Sequence, residues 1–307
     1  MLNLEKLSFG YMEYCQYQKN LNHKTLKAYN IDLKQFIDFI YNYNGELSRV
    51  SLSDYITFLH KTYKPRSIKR KIASVKAFLN YLEYEAIIEE NPFMKIRLKI
   101  KEPLTLPKTI PIKTIQLIFS TAYQKLSQQK NTSLYQYSTV LRDIAVLELL
   151  FATGIRVSEL CSLMSRDVDL LEGTIKIYGK GSKERIVQIG NQQVLTSLSN
   201  YKNAFKDEIL NAGYFFINRL QRRLSEQSVR IMINKYVEIA GLSNHITPHM
   251  FRHSFATLLL EEDVDIRFIQ KLLGHSSIIT TQIYTHVASN KQRDILTSKH
   301  PRNRIMV

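Results

Sequence analysis

Cysteine is nearly absent from this sequence, which holds only two of them in 307 residues. Cys15 and Cys161 are too few and too far apart in the chain for a disulfide framework or a zinc cluster. We therefore expect both to be reduced side chains that pack in the core.

Long hydrophobic runs are also missing. No apolar stretch approaches the roughly 18 residues of a membrane-spanning helix, and charges interrupt the first residues, "MLNLEKLSFGYMEYC". We expect neither a signal peptide nor a membrane span, and hence a cytoplasmic protein.

Phosphate-binding glycine loops are absent too. The sequence has no GxGxxG or GxxxxGK[ST] pattern, no internal repeat and no carboxylate pair at a suggestive spacing. These absences argue against a nucleotide-driven motor, and we expect no nucleotide, metal or other cofactor.

Acidic residues are in deficit. The chain has 43 Lys and Arg against 27 Asp and Glu, a formal net charge of +16. The basic excess is shared by residues 1–110 and the remainder. A polyanionic partner is indicated, and nucleic acid is the commonest such partner.

Proline is scarce, but three of the seven prolines fall in "KIKEPLTLPKTIP", residues 99–111. This stretch has no apolar period, so we expect a linker at 101–111 between a domain of residues 1–100 and another of 112–307. The fold class is predicted as mainly α, because apolar residues recur at helical spacing in the first domain. The predicted helices there are about 4–18, 24–43, 51–61 and 66–86.

The second domain is predicted to be mostly helical with one small antiparallel β-hairpin. Residues 173–190, "GTIKIYGKGSKERIVQIG", alternate apolar and polar side chains on both arms. The glycines of "GKGSK" suit the turn between them, which places Lys180 at or beside the hairpin tip.

A cluster of basic residues stands at the start of the fourth predicted helix, in "KTYKPRSIKRK". It is either an ordinary solvated face or a surface that contacts phosphates, and the net charge favours the second. The candidate DNA-binding residues are Lys61, Lys64, Arg66, Lys69, Arg70 and Lys71.

A further helix is predicted over residues 247–260, "TPHMFRHSFATLLL". Thr247 is placed to cap it and Pro248 to occupy its first position. Its apolar stripe is Phe251, Phe255, Leu258 and Leu259, with His249, Arg252 and Ala256 on the opposite side.

Three interpretations of that helix start remain open. His249 and His253 have the i, i+4 spacing of metal ligands, but the cationic Arg252 between them opposes a bound metal. A purely structural polar helix start is the second. The third is an oxyanion site, because a helix N-terminus with imidazole and guanidinium beside it attracts anions.

Other chemically capable residues follow breaks in the helical pattern. Arg156 comes just after Gly154, where a new helix can start, and His275 follows Gly274, where a helix is predicted to end. Tyr284 lies on the segment that restarts after His275.

Together these groups suit a phosphodiester. Two guanidiniums can stabilise the extra negative charge of a five-coordinate phosphorus without a metal. A tyrosine phenol can attack the phosphorus, while a lysine and an imidazole can transfer protons.

The motifs "ATGIRVSEL", "GKGSKER", "PHMFRHSFAT" and "LLGHSSIITTQIYTH", in this order, resemble those of the tyrosine recombinase (phage integrase) family, especially its Xer-like branch. The first domain resembles the family's core-binding domain in "HKTLKAYNIDLKQFIDFI" and "SIKRKIASVKAFLNYLEYEAIIEENPF". Six residues match the family's catalytic positions: Arg156, Lys180, His249, Arg252, His275 and Tyr284.

The resemblance implies a site-specific recombinase that cleaves and rejoins DNA through a 3'-phosphotyrosine on Tyr284. It implies a two-domain clamp on double-stranded DNA bearing a specific site, a tetramer on two sites and a monomer without DNA. Dimer resolution and mobile-element integration or excision both fit. Glu159 would support the helix that holds Arg156, and His253 would be structural.

Residues 123–143 are longer and more polar than the usual Xer-like stretch before the first catalytic arginine. Residues 287–307 form a basic tail that the resemblance would pack into a neighbouring subunit. An accessory partner is unknown.

The rival interpretations are a type IB topoisomerase-like enzyme, which only swivels and reseals DNA, and a DNA-binding protein without catalysis.

Overall fold

The computed structural model describes residues 2–43, 46–96, 100, 106–129, 134–179 and 184–274. The chain divides into two compact units, residues 1–104 and 105–307. Among the described residues, no helix is both long enough and apolar enough to cross a bilayer.

The first unit is a bundle of four helices around an aromatic-rich core. Its described residues contain no strand, as predicted, and buried Tyr11, Phe36, Tyr55 and Phe78 fill the centre. A π-helical turn, Tyr14–Gln18, extends the first helix. The helices are α1 Leu4–Glu13, α2 His23–Tyr43, α3 Arg49–Thr62 and α4 Pro65–Tyr84.

One member of the predicted basic surface is buried instead. Lys71 is 3% exposed and donates from Nζ to Asp32 Oδ1 at 3.1 Å. Its place follows from the helical period of α4, in which Ile68, Lys71, Ile72 and Val75 form one inward stripe. Lys71 is therefore an internal ion-pair residue, and its prediction as a phosphate contact was wrong.

The rest of the cluster is at the surface of the first unit. Arg70 also bonds Asp32, yet 46% of its side chain is exposed. The other exposed members are Lys61, Lys64, Arg66 and Lys69.

The second unit packs helices around α6, which is apolar on most of its faces and is contacted by α5, α8 and α11. The helices are α5 Ile112–Gln128, α6 Leu134–Thr153, α7 Val157–Cys161, α8 Gln192–Ala204, α9 Lys206–Ala212, α10 Glu226–Ile239, α11 Pro248–Glu261 and α12 Ile266–Leu273.

Both cysteines are buried thiols without a disulfide, Cys15 in the first unit and Cys161 in the second.

The predicted hairpin is confirmed and carries one extra strand. β2 (Thr174–Tyr178) pairs antiparallel with β3 (Glu184–Gln188), and Ile177 lies opposite Arg185. A two-residue strand, β1 (Val168–Asp169), adds to the edge of β2 and was not predicted, because so short a run has no measurable alternation.

The end of the predicted linker belongs to the second unit. Ile110 is buried in its core, and its backbone N–H donates to Ser254 Oγ on α11 at 2.7 Å. Residues 101–105 lie outside the described part of the chain.

Candidate active site

Arg156 lies at the N-terminus of α7 because α6 ends just before Gly154 and the chain turns there. Gly154 has φ +58°, the left-handed conformation that ends α6 after Thr153. The Arg156 N–H donates to Glu159 Oε2 at 3.0 Å, and its Nη1 donates to Oε1 at 2.8 Å. Glu159 thus holds both the backbone and the side chain of Arg156.

The helix of the "PHMFRH" motif begins as the sequence predicts, with Pro248 at its first position and Thr247 before it. The Thr247 side chain makes no capping bond, contrary to the expectation. Ala256 is also buried rather than on a polar face, because Ile269 and Leu273 of α12 pack over it. Only part of the apolar stripe is fully buried: Phe251 is, whereas Phe255 is half-buried against α12.

Arg252 is almost completely buried, at 4% exposure. Its Nη1 donates to the carbonyl oxygen of Gly154 at 2.7 Å, and its Nη2 donates to that of Leu273 at 2.7 Å. These two short bonds fix the plane of the guanidinium relative to the turn before α7 and the end of α12.

Three arginines meet at the C-terminal end of α12. The last carbonyls of a helix lack partners within it and carry partial negative charge, so cationic donors bind there. Leu272, Leu273 and Gly274 supply three consecutive carbonyl oxygens. The donors, in that order, are Arg185 Nε at 3.1 Å, Arg252 Nη2 at 2.7 Å and Arg156 Nη2 at 3.3 Å.

Arg185 is a site residue that the sequence did not reveal. It also forms a two-pronged bond with Glu159, from Nη1 to Oε1 at 3.0 Å and from Nη2 to Oε2 at 2.7 Å. Burial opposes ionisation of Glu159, but the bonds from Arg185 and Arg156 prevail and lower its pKa. The sequence signal that could have identified Arg185 was the alternation of β3, in which Arg185 lies on the same inward side as Val187.

His249 is exposed at the start of α11, beside this arginine cluster. Partial desolvation lowers its pKa, and the nearby positive charges of Arg252, Arg230 and Arg156 lower it further. Desolvation and the neighbouring positive charges therefore favour the neutral imidazole in the protein without DNA. Arg230, on α10, is a second cation of the site that sequence reasoning missed.

His253 is half-buried one turn after His249. Desolvation, with smaller contributions from His249 and Arg252, lowers its pKa to about 4. It is neutral near pH 7, which is consistent with a structural role.

Arg156 is thus brought close to His249 and Arg252, which are neighbours on α11. Lys180, His275 and Tyr284 lie outside the described residues. Lys180 falls between β2 and β3 in sequence, and His275 directly follows Gly274. Within the described ranges, no three His, Cys, Asp or Glu side chains are grouped to hold a metal ion.

Comparison with known proteins places both units in one family. Residues 122–291 match the phage integrase family, and residues 10–86 match the phage integrase N-terminal SAM-like domain. A tyrosine recombinase of Agathobacter rectalis is 54% identical over 98% of each chain. The tyrosine recombinase XerC of Bacillus pumilus is 34% identical, also over 98% of each chain.

Solved structures share the fold. A XerH site-specific recombinase bound to a palindromic difH substrate, in a post-cleavage complex, has a TM-score of 0.75 at 21% identity, covering 95% of this chain and 84% of that one. A lambda integrase tetramer bound to a Holliday junction has a TM-score of 0.66 at 17% identity, covering 92% and 77%. On its sequence matches, this chain belongs to the phage integrase family and is a tyrosine recombinase, an enzyme of site-specific DNA recombination.

Proposed function

We propose that this recombinase cleaves one DNA strand by attack of Tyr284 on a phosphodiester that Arg156 and Arg252 bind. The observation that carries the proposal is the convergence of these two arginines on adjacent carbonyls of α12, with His249 beside them. A cluster of guanidiniums beside a neutral imidazole suits a phosphate whose negative charge increases in the transition state.

Each step of the proposed reaction breaks one phosphorus–oxygen bond and forms another, so the number of phosphodiester bonds does not change. The Tyr284 phenol gives its proton to an imidazole of the site, His249 or His275, and its oxygen bonds to the phosphorus, giving a 3'-phosphotyrosine. The bond from phosphorus to the 5' oxygen breaks, and Lys180 donates the proton that makes this oxygen a 5'-hydroxyl. A 5'-hydroxyl of a partner strand then attacks the phosphotyrosine and gives its proton to Lys180. The bond from phosphorus to the Tyr284 oxygen breaks, and the protonated imidazole returns its proton to the phenol.

Because the bond energy is retained in the phosphotyrosine, the reaction needs no nucleotide. The arginines supply the charge stabilisation that a metal gives in other phosphoryl-transfer enzymes. His249 and His275 are proposed to bind phosphate oxygens or move protons at the same centre.

Arg252 is proposed to bind phosphate from a fixed position. Its bonds to Gly154 and Leu273 hold the guanidinium plane before DNA arrives, so little reorganisation accompanies the reaction. Donors fixed in advance stabilise a transition state better than donors that must be ordered during it.

Double-stranded DNA with a specific recombination site is the proposed substrate, met in the cytoplasm. The net charge of +16 supports it, as do the exposed basic side chains at the end of α3 and the start of α4. The DNA-binding residues carried forward are Lys61, Lys64, Arg66, Lys69 and Arg70. We propose a tetramer on two sites, assembled from monomers on DNA, by analogy with the lambda integrase tetramer.

The test is to trap DNA covalently on the wild-type protein in cells and sequence the fragments. A plasmid with two copies of the recovered sequence should recombine with purified protein, in the presence of EDTA and without nucleotide. Relaxation of supercoils without recombination would favour the swivelling enzyme, and absence of both would favour a non-catalytic binder. A requirement for magnesium would reject the proposed chemistry. The genomic position of the recovered site would separate dimer resolution from mobile-element movement.

A further inference from the structure

Arg185 is a cation on the inward side of a β-strand, where an apolar residue would ordinarily stand. Val187, on the same side of β3, and Ile189, just after the strand, are buried, and only 12% of the Arg185 side chain is exposed. Removing a guanidinium from water is costly unless its donors find partners. Its burial therefore needs an explanation in the contacts that it makes.

The contacts of Arg185 reach two elements besides its own strand. Two nitrogens bind the Glu159 carboxylate on α7, at 3.0 and 2.7 Å, and Nε binds the Leu272 carbonyl at the end of α12, at 3.1 Å. The Arg185 side chain also lies against Gly274, where a Cβ would come within 3.0 Å of Nη1.

Each element joined by Arg185 adjoins a different part of the proposed catalytic set. β3 begins four residues after Lys180 in the sequence. α7 begins next to Arg156, whose side chain Glu159 also binds. α12 ends at Gly274, the residue before His275.

We propose that Arg185 is a positioning residue for strand cleavage, which sets the relative places of the hairpin, the Arg156 helix and the end of α12. The inference rests on the function proposed above. Arg185 acts through Glu159 and the α12 carbonyl and need not contact DNA. Its loss should slow cleavage while leaving DNA affinity nearly unchanged, because affinity rests on many phosphate contacts elsewhere.

The competing explanation is that Arg185 only holds the fold together. Arg142 on α6 offers a matched control, because 15% of its side chain is exposed and it also binds one carboxylate and one backbone carbonyl. Its partners are Asp143 and Ile217, and it has no place in the proposed catalytic set.

The experiment compares Arg185→Lys and Arg185→Gln with Arg142→Lys and Arg142→Gln in the full chain. Lysine keeps the charge but cannot make the two-pronged bond and the carbonyl bond together. The probe is a nicked duplex carrying the sequence recovered from DNA trapped on wild-type protein. The readouts are single-turnover formation of the covalent adduct at saturating DNA, the Kd for the duplex, and the midpoint of thermal unfolding, with rates measured well below each midpoint.

We expect both Arg185 variants to lose about 10- to 100-fold in cleavage rate, since small misplacements of reacting groups cost up to about 100-fold. Their Kd should stay within about threefold of wild type, since the phosphate contacts are kept. The Arg142 variants should lose comparable thermal stability but less than about threefold in rate, since they leave the site's geometry intact.

Three results would overturn the proposal: unchanged cleavage by the Arg185 variants, equal slowing by the Arg142 variants, or an increase in Kd in proportion to the lost rate. Failure of the Arg185 variants alone to fold would also overturn it in favour of a fold-holding role. If wild-type protein forms no adduct with any DNA, the proposed function itself fails, which is a separate outcome.

Discussion

The Nη1 atom of Arg252 lies 2.7 Å from the carbonyl oxygen of Gly154, although 98 positions separate the two residues in the chain. Gly154 turns the chain with φ +58° between α6 and Arg156. Its carbonyl is thereby available to Arg252, and one tight turn both starts the Arg156 helix and anchors the second guanidinium.

Gly154→Ala is expected to destabilise the second unit. A left-handed conformation costs an ordinary residue about 1–2 kcal/mol. In addition, the new Cβ would lie 2.6 Å from Phe255 Cδ1 and 2.9 Å from Leu273 Cδ2. We predict a loss of more than about 2 kcal/mol in the free energy of unfolding, measured by chemical denaturation.

Gly190→Ala is the matched control for that measurement, because a Cβ at Gly190 meets nothing within 4 Å and its φ is not in the left-handed region. A similar loss in both variants would mean that the close packing around Gly154 carries no special constraint.

Arg156→Ala and Arg252→Ala should both slow cleavage, typically by ~10²- to 10³-fold for loss of one donor to a transition state. Their stabilities should differ. Arg252→Ala removes buried donors from the Gly154 and Leu273 carbonyls, at about 1–3 kcal/mol for each oxygen left unpaired. Arg156 keeps 34% of its side chain exposed, so its loss should destabilise less.

The measurements are thermal unfolding, single-turnover cleavage and DNA binding for each variant. Binding that weakens in step with cleavage would make the affected arginine a docking contact and not a stabiliser of the transition state.

His253 should make the protein less stable as the pH falls from about 6.5 to about 4. Its pKa is about 4 in the folded protein, against an ordinary value of 6.5. Between these values the unfolded chain binds a proton that the folded protein does not, so stability is lost progressively, by up to about 3 kcal/mol.

His253→Gln should reduce this slope in unfolding experiments at stepped pH. Identical pH slopes for wild type and His253→Gln would show that His253 titrates normally.

Regular periodicity allowed much of the fold to be predicted. The four helices of the first unit and the hairpin pair were placed from apolar spacing, because one face of each element is buried. Lys71 and Ala256 were misplaced for a shared reason. Lys71 was expected at the surface from its residue type and net charge, and Ala256 was placed opposite the apolar stripe from helical spacing. The ion pair with Asp32 buries Lys71, and the packing of α12 buries Ala256, and the local sequence shows neither contact.

The residues of the candidate site could be proposed from the sequence, but the contacts between them could not. Arg156, His249 and Arg252 stand out because each lies in a motif. A motif indicates a particular reaction more specifically than a single residue does. Arg185 and Arg230 do not stand out, because their importance depends on Glu159 and His249, which are far away in sequence. Only the folded structure supplies such long-range partners.

Deletion of residues 290–307 tests the assembly predicted from the sequence. Residues 287–307 hold few apolar side chains, and from their sequence we predict that they dock on a neighbouring subunit. The truncated protein should bind a single site almost normally but should neither pair two sites nor recombine them. Light scattering of the protein–DNA complex, with a recombination assay, decides the point. Tetramers and full recombination from the truncated protein would refute it.

Covalent capture of DNA tests whether Tyr284 is the nucleophile. A nicked duplex carrying the recovered site is incubated with wild-type protein, Tyr284→Phe, and Tyr135→Phe as a control at an exposed tyrosine of the same unit. We predict that wild type and Tyr135→Phe become covalently attached to DNA, with or without EDTA, and that Tyr284→Phe binds the duplex with similar affinity but never attaches. Covalent adduct formed by Tyr284→Phe at the wild-type rate would contradict the account.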